Sequence, residues 1–229
     1  MSFDPTAVET ITVDSYGTLV DPAAVETALE TAIDAEHAQS ISDQWRSRSL
    51  MYTMVSNFTD SYQPFYDMNR DALRVSLADH GVDLSSATIE DILSAYHDLD
   101  PFEDVRRGLE AVTDAGYEVF VLSNGNPAML ESMVETAALE SVLSGTISAH
   151  EIRTFKPDAD IYRHAAAQTE TPLESIAHVA GPTFDVQGSM HAGMQGVWIN
   201  RTDGLWDPFA AEPDLTVETF DEFATELGV

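Results

Sequence analysis

The chain of 229 residues contains no cysteine and a single lysine, Lys156. Without cysteine there is no disulfide, no thiolate nucleophile, no cysteine-ligated zinc and no ordinary iron–sulfur ligation. Positive charge of any kind is scarce: ten lysines and arginines stand against forty aspartates and glutamates, a net charge of −30. Phosphate backbones and anionic membrane surfaces both call for a basic patch, so neither nucleic acid nor membrane is expected as a partner. No apolar run approaches the ~18 residues of a membrane span, and the first twenty residues carry acids where a signal peptide would need an unbroken apolar core. No two glycines are spaced as G-x-G, which removes the dinucleotide loop, and G-x-S-x-G, H-E-x-x-H and P-loop signatures are also missing. The expectation is a soluble cytoplasmic protein.

What is present suffices for a folded core. Apolar residues make up 44% of the chain and aromatics 9%, while the charged fraction of 22% is ordinary, so the anomaly lies in the four-to-one split of sign. The acids are interspersed with periodic apolar residues, unlike those of a disordered acidic tail. An acidic, lysine-poor surface on a folded chain suits a salt-saturated cytoplasm, where cations screen the repulsion. A halophilic setting is expected.

Thr10–Asp14 reads as a short apolar strand that ends in an acid. From residue 22 to 98 the periodicity is helical, with helices expected over Pro22–His37, Ser42–Phe58, Tyr66–Gly81 and Thr88–Asp98. Asp21-Pro22 and Ser42 suit helix starts. After Asp100-Pro101 helix and strand alternate: a helix over 103–115, a strand at Tyr117–Leu122, a helix over 128–137, a strand near Ile147 and a helix after Pro157. A strand at Ile176–Ala180, a helix after Phe184 and strands at Gly196–Ile199 and Leu215–Val217 complete the series. The pattern predicts an α/β fold: a Rossmann-like parallel-sheet core over 1–20 and 100–229, with a helical cap inserted over 21–99.

In open parallel sheets, ligands sit beyond the carboxyl ends of the strands. Four polar clusters fall there: Asp14-Ser15-Tyr16-Gly17-Thr18, Ser123-Asn124-Gly125, Lys156-Pro157 and Gly181-Pro182-Thr183-Phe184-Asp185. An acid, a hydroxyl–amide pair, a lysine and a second acid would converge on one crevice. With D-S-Y-G-T-L at Asp14–Leu19, L-S-N-G at Leu122–Gly125, K-P-D at Lys156–Asp158 and the acid Asp185, the sequence resembles the haloacid dehalogenase superfamily. Trp45-Arg46 followed by Phe65, K-P-x-x-x-x-Y at Lys156–Tyr162 and W-I-N-R at Trp198–Arg201 narrow the resemblance to the L-2-haloacid dehalogenases, over nearly the whole chain.

The resemblance implies a hydrolase that converts (S)-2-haloacids to (R)-2-hydroxyacids with no cofactor and no metal. Asp14 would be the nucleophile, attacking Cα and forming an ester on its own side chain. Thr18 would orient Asp14, Lys156 would keep it ionised, and Asp185 would serve the hydrolytic water as base or orienter. Ser123 would hold the substrate carboxylate; Arg46, Asn124 and Phe65 would cradle the departing halide. Tyr16, Leu50 and Phe184 would line the pocket, and Tyr162 would hydrogen-bond near Lys156. The family also implies a homodimer. On the residues alone, Arg46 also suits a solvated helix face, Phe65 and Leu50 a helical core, Tyr162 a packed helix and Asn124 a helix cap, alone or together with its site role. His178 and His191 read as structural.

Two alternatives stay open. A magnesium-dependent phosphatase of the same superfamily would need a second acid two residues after the nucleophile, where Tyr16 stands, and acids near Gly181 to hold the metal. A degenerate small-acid-binding member is suggested by Ala180 and Pro182, which replace the Ser and Asn usual in L-2-haloacid dehalogenases.

Overall fold

The computed structural model describes residues 2–33, 35–209 and 211–229. The first strand, β1 (Thr10–Val13), leads into four helices: α1 (Ala23–Ala32), α2 (Ala35–Thr59), α3 (Phe65–Asp79) and α4 (Ser86–Ser94). Alternation follows with α5 (Val105–Asp114), β2 (Glu118–Ser123), α6 (Pro127–Thr136), β3 (Gly145–Ser148), α7 (Ala159–Gln168) and β4 (Ile176–Ala180). The chain ends with α8 (Thr183–Ala192), β5 (Gln195–Ile199), β6 (Leu215–Val217) and α9 (Phe220–Leu227). The six strands form one parallel sheet in the order β3-β2-β1-β4-β5-β6. This is the Rossmann-like α/β arrangement that the alternation predicts.

The order places β1 at the centre, between β2 and β4, with Val13 opposite both Val121 and Val179. Every residue of β1 and β4 is buried, so both faces of these two central strands are covered, and the polar side chains of Thr10, Thr12 and His178 lie in the interior. The chain leaves the sheet after β1 and returns beside its own exit: Asp21 N–H donates to Asp100 C=O at 3.0 Å, and Phe102 N–H donates to Leu19 C=O at 3.0 Å. Ile11, Val13 and Val121 of the sheet share one buried cluster with Trp45, Leu73 and Ile92 of the intervening helices.

Most helical boundaries shift from expectation by a few residues, as with Thr88–Asp98, which is Ser86–Ser94; two differences change the organisation of the helices. The single helix expected over 22–37 stops at Ile33, whose backbone is extended (φ −136°, ψ 166°); residue 34, within the expected span, lies outside the described residues. Ser42, expected to begin the next helix, sits inside α2 with its side chain buried. Among the described residues no helix is long and apolar enough to cross a membrane.

Candidate active site

Strand β1 delivers Asp14 to the carboxyl edge of the sheet, where its N–H donates to Val179 C=O at 3.0 Å. The chain then turns back sharply, with Gly17 in the left-handed region (φ 80°) and Leu19 N–H donating to Ser15 C=O at 2.8 Å. This turn brings the Thr18 hydroxyl within 2.8 Å of Asp14 Oδ2, to which it donates, while Thr18 Oγ1 itself accepts Gly181 N–H at 2.9 Å. A Cβ at residue 181 would lie 2.5 Å from the Gly17 carbonyl oxygen, so the close approach of these two loops needs glycine there and leaves no room for a carboxylate.

Lys156 is fully buried and holds two acids together. Its Nζ donates to Asp14 Oδ1 at 3.1 Å, to Asp185 Oδ2 at 2.6 Å and to the Leu122 carbonyl. Asn124 fixes the loop that carries it, since Asn124 Oδ1 accepts Lys156 N–H at 2.8 Å. Asn124 therefore anchors a loop and does not cap α6, whose first turn follows Asn126. Asp185 lies in the first turn of α8, where its other oxygen accepts the Tyr162 hydroxyl at 2.7 Å.

One lysine between two buried carboxylates divides its charge unequally. Burial raises the Asp14 carboxyl above its ordinary range; Lys156 opposes that rise and the Asp185 charge adds to it. Burial alone would raise Asp185 as well, but Lys156 and then His178 outweigh it and hold Asp185 well below the carboxylate range. Burial works against the charge on Lys156, yet its two acids prevail and keep it protonated.

Beside Asp14 and Lys156 opens a cavity of about 210 Å³ under α2 and α3. Tyr16, Arg46, Leu50, Phe65, Ser123, Asn124 and Phe184 all line it, as do Asp14 and Lys156 themselves. Thr18, Asp185 and Tyr162 do not: they stand behind the two reacting side chains, and Tyr162 bonds beside Lys156, holding Asp185 from the core without touching the cavity. Arg46 lines the cavity, but its guanidinium is paired at the same time with Glu26 and, at 3.2 Å, with Asp43. Ser123 Oγ is 2.7 Å from Ser15 Oγ and accepts Gly125 N–H at 3.0 Å.

Several lining residues escaped the sequence reading. Ser49, Asn69 and Tyr96 complete the wall, with Ser49 Oγ donating to Asn69 Oδ1 at 2.9 Å. Trp45, Tyr96 and Tyr16 form a run of edge-on aromatic contacts at 6.1 and 5.4 Å, and the Trp45 indole N–H ties α2 to α3 through the Asn69 carbonyl at 2.9 Å. Burial, with Tyr96 and Asp14 adding to it, pushes the Tyr16 phenol up, so it keeps its proton, and among the described residues its buried hydroxyl has no hydrogen-bond partner. Burial likewise pushes Tyr96 up to about 12. The i, i+4 spacing of Trp45 and Ser49 on α2 could have flagged a shared interior face; nothing in the sequence flags Asn69 or Tyr96.

Residues 8–180 match the family model for haloacid dehalogenase-like hydrolases. An (S)-2-haloacid dehalogenase of Pseudomonas fluorescens is 30% identical over 93% of this chain and 94% of its own. Among solved structures, an L-2-haloacid dehalogenase superposes with a TM-score of 0.92 at 26% identity, over 97% of this chain and 99% of that one. A dehalogenase solved with an intermediate complex superposes with a TM-score of 0.91 at 26% identity, over 97% and 98% of the two chains. With the sheet order, the lysine shared by Asp14 and Asp185 and these matches in agreement, the chain belongs to the haloacid dehalogenase-like hydrolases, in their L-2-haloacid dehalogenase branch.

Proposed function

We propose that this protein hydrolyses (S)-2-haloacids to (R)-2-hydroxyacids through an ester on Asp14. The observation that carries the reading is Lys156, whose Nζ reaches Asp14 at 3.1 Å and Asp185 at 2.6 Å at the floor of an apolar-walled cavity. Thr18 and Lys156 each occupy one Asp14 oxygen, which fixes the carboxylate plane while its remaining lone pairs face the substrate. Attack on Cα from the side opposite the halide inverts that carbon. Water then attacks Cγ of Asp14, so the second step leaves the new configuration untouched. In this reading Ser123 takes the substrate carboxylate, Arg46, Asn124 and Phe65 receive the halide, and Tyr16, Leu50 and Phe184 enclose the substrate chain. Once the ester has formed, Asp185 is the one carboxylate left on Lys156; it orients the water and draws its proton, with Tyr162 holding its other oxygen.

The test is a first turnover in heavy-oxygen water with enzyme in excess over L-2-chloropropionate. Label should enter Asp14 and not the hydroxyacid. Label in the first-turnover product would mean that water attacks the substrate directly, and the ester reading would be lost.

A magnesium-dependent phosphatase is the competing reading, and Tyr16 and Gly181 speak against it because neither offers a carboxylate. Dehalogenation unchanged by EDTA, with no magnesium-stimulated phosphate-ester hydrolysis, separates the two. Multiple turnover separates both from a small-acid binder. The same proposal includes a core over 1–20 and 100–229 with a cap over 21–99, a homodimer and a halophilic cytoplasm, the last motivated by the net charge of −30.

A further inference from the structure

We infer that His178 is a positioning residue for ester hydrolysis: held by Thr12, it fixes Asp185 against Lys156 for the second half of the reaction. The inference rests on the ester reading above and extends it to a residue that the sequence presents as a packed core histidine. His178 is fully buried on β4, beside Thr12 of β1 in the register of the sheet. Its Nδ1 lies 2.9 Å from Thr12 Oγ1. With Thr12 donating to Nδ1, the ring proton sits on Nε2, which lies 3.1 Å from Asp185 Oδ1. The Tyr162 ring packs edge-on against the imidazole at 5.7 Å, and its hydroxyl donates to the same Asp185 oxygen at 2.7 Å.

Nε2 lies 3.1 Å from Oδ1 without making a full hydrogen bond to it, and among the described residues it has no other hydrogen-bond partner. A buried donor left in this condition is costly to the fold, and an apolar ring of similar size would avoid the cost. Contacts that are long or misaligned in a resting enzyme and tighten during reaction are characteristic of catalytic machinery. The end of β4 offers no substitute, because Ala180 and Pro182 carry no side-chain donor. Asp185 is thus held at one oxygen by Lys156 and at the other by Tyr162 and His178.

Halide departure makes this second grip matter. The ester removes the Asp14 charge, and Lys156, which had two carboxylates, is left with Asp185 alone. In hydrolysis the water oxygen bonds to Asp14 Cγ and its proton passes to Asp185. The bond from Cγ to the hydroxyacid oxygen then breaks, and that oxygen keeps the electron pair and takes the proton from Asp185. The proton remaining on the regenerated Asp14 carboxyl leaves to solvent. His178 exchanges no proton in this sequence; it keeps Asp185 from turning away while the carboxylate gains and loses one.

The test separates the two steps by rapid quench and mass spectrometry of the Asp14 peptide. In His178→Phe the burst of halide release should keep its wild-type rate, while ester hydrolysis slows by about ten- to a hundredfold, so that the Asp14 adduct accumulates in the steady state. His178→Gln, which returns an N–H toward Asp185, should recover most of the hydrolysis rate, and Thr12→Val should accumulate adduct as His178→Phe does. If His178→Phe does not fold, the comparison of His178→Gln with Thr12→Val carries the decision. Wild-type ester hydrolysis in Thr12→Val and His178→Phe would overturn the inference, as would an equal slowing of both steps in every variant. A wild-type enzyme that labels its first-turnover product from water would instead overturn the ester reading, and this inference with it.

Discussion

Thr12 and Asp14, two residues apart along the first strand, are the two ends of one chain of buried polar contacts. From Thr12 it runs through His178 at 2.9 Å, Asp185 at 3.1 Å and Lys156 at 2.6 Å, and returns to Asp14 at 3.1 Å. The central strand therefore carries both the proposed nucleophile and the anchor of the groups that act on it. Only the Asp14 and Lys156 end opens to the cavity; the rest is enclosed by core, where charge is poorly screened and each contact weighs more than it would at the surface.

The first prediction concerns pH. Burial and the neighbouring Asp185 raise the Asp14 carboxyl, with Lys156 only partly opposing, and the nucleophile must be ionised to attack. The acid limb of the kcat/KM profile should therefore lie above ~3.9, the value of an unperturbed aspartate. It is measured for halide release over the pH range in which circular dichroism shows the protein folded. A limb at or below the ordinary aspartate value would show that Asp14 is not the group that must lose its proton.

The same shift has a consequence for stability, with a definite sign. A folded-state pKa above the unfolded one means that ionising Asp14 costs stability as pH rises through the folded value. Asp185, held low, contributes the reverse: stability present above the unfolded value and lost as pH falls toward its folded one. Asp14→Asn removes the first effect and leaves the Lys156–Asp185 pair intact. It should abolish turnover while raising the melting temperature at neutral pH, by ~2–4 °C for each kcal/mol recovered. A lower melting temperature would mean that the Asp14–Lys156 pairing outweighs the burial of the Asp14 charge.

Much of this arrangement is legible in the chain because it depends on position along strands. An acid, a serine–asparagine pair and a second acid after three apolar runs must meet at the carboxyl edge of a parallel sheet, and in the structure they do, with the lysine of a later loop reaching between them. What escapes is what depends on partners from elsewhere in the chain. His178 sits in a strand buried on both faces, so no alternation shows which way its ring points. That the Arg46 guanidinium is shared also escapes, because Glu26, one of its partners, belongs to another helix. The helix break at Ile33 has no proline or glycine to announce it. α9 could have been found: Thr219 caps it by accepting Glu222 N–H at 3.2 Å, and the T-x-x-E spacing is a capping signature.

Lys156 should tolerate no replacement. Its ammonium makes three short contacts in a site with almost no exposure, 2% of the side chain. A planar guanidinium is larger and cannot point donors at two carboxylates and a carbonyl from one atom. Lys156→Arg and Lys156→Met should each lose at least about a hundredfold in kcat, the scale for one electrostatic contact in a reacting site. Lys156→Met, which leaves two carboxylates facing each other without a cation, should also melt lower. Activity within a few-fold of wild type in Lys156→Arg would remove the lysine from the proposed chemistry.

Arg46 provides a test at the cavity mouth. Its guanidinium is shared by Glu26 and Asp43 while the side chain lines the cavity, so less of its charge is available to an anion inside. Glu26→Gln removes one competitor. An exposed pair of this kind is worth ~0.2–1 kcal/mol, so chloride should inhibit the variant up to about fivefold more tightly at constant ionic strength. Arg46→Met should weaken chloride inhibition instead. Unchanged inhibition in both variants would place the halide elsewhere in the cavity.

The last prediction uses the charge of the whole molecule. A net charge of −30 on 229 residues drives self-repulsion at low ionic strength. Salt acts on two opposed sets of interactions. It weakens exposed ion pairs such as Arg48–Asp79, Arg107–Asp221 and Arg163–Asp160, but such pairs are worth only ~0–1 kcal/mol each. It also screens repulsion among forty acids, four for every lysine or arginine present to meet them. As the Debye length falls from ~10 Å at 0.1 M to ~3 Å at 1 M, the repulsive sum should shrink more than the attractive one. The buried Lys156 pairs lie outside the reach of this screening, so the active site should keep its geometry while the surface relaxes. Melting temperature and halide release should both rise into the molar KCl range. Melting curves recorded in dilute buffer and in ~1 M KCl decide the matter: coincident curves would remove the halophilic setting and leave the acidic surface without an account.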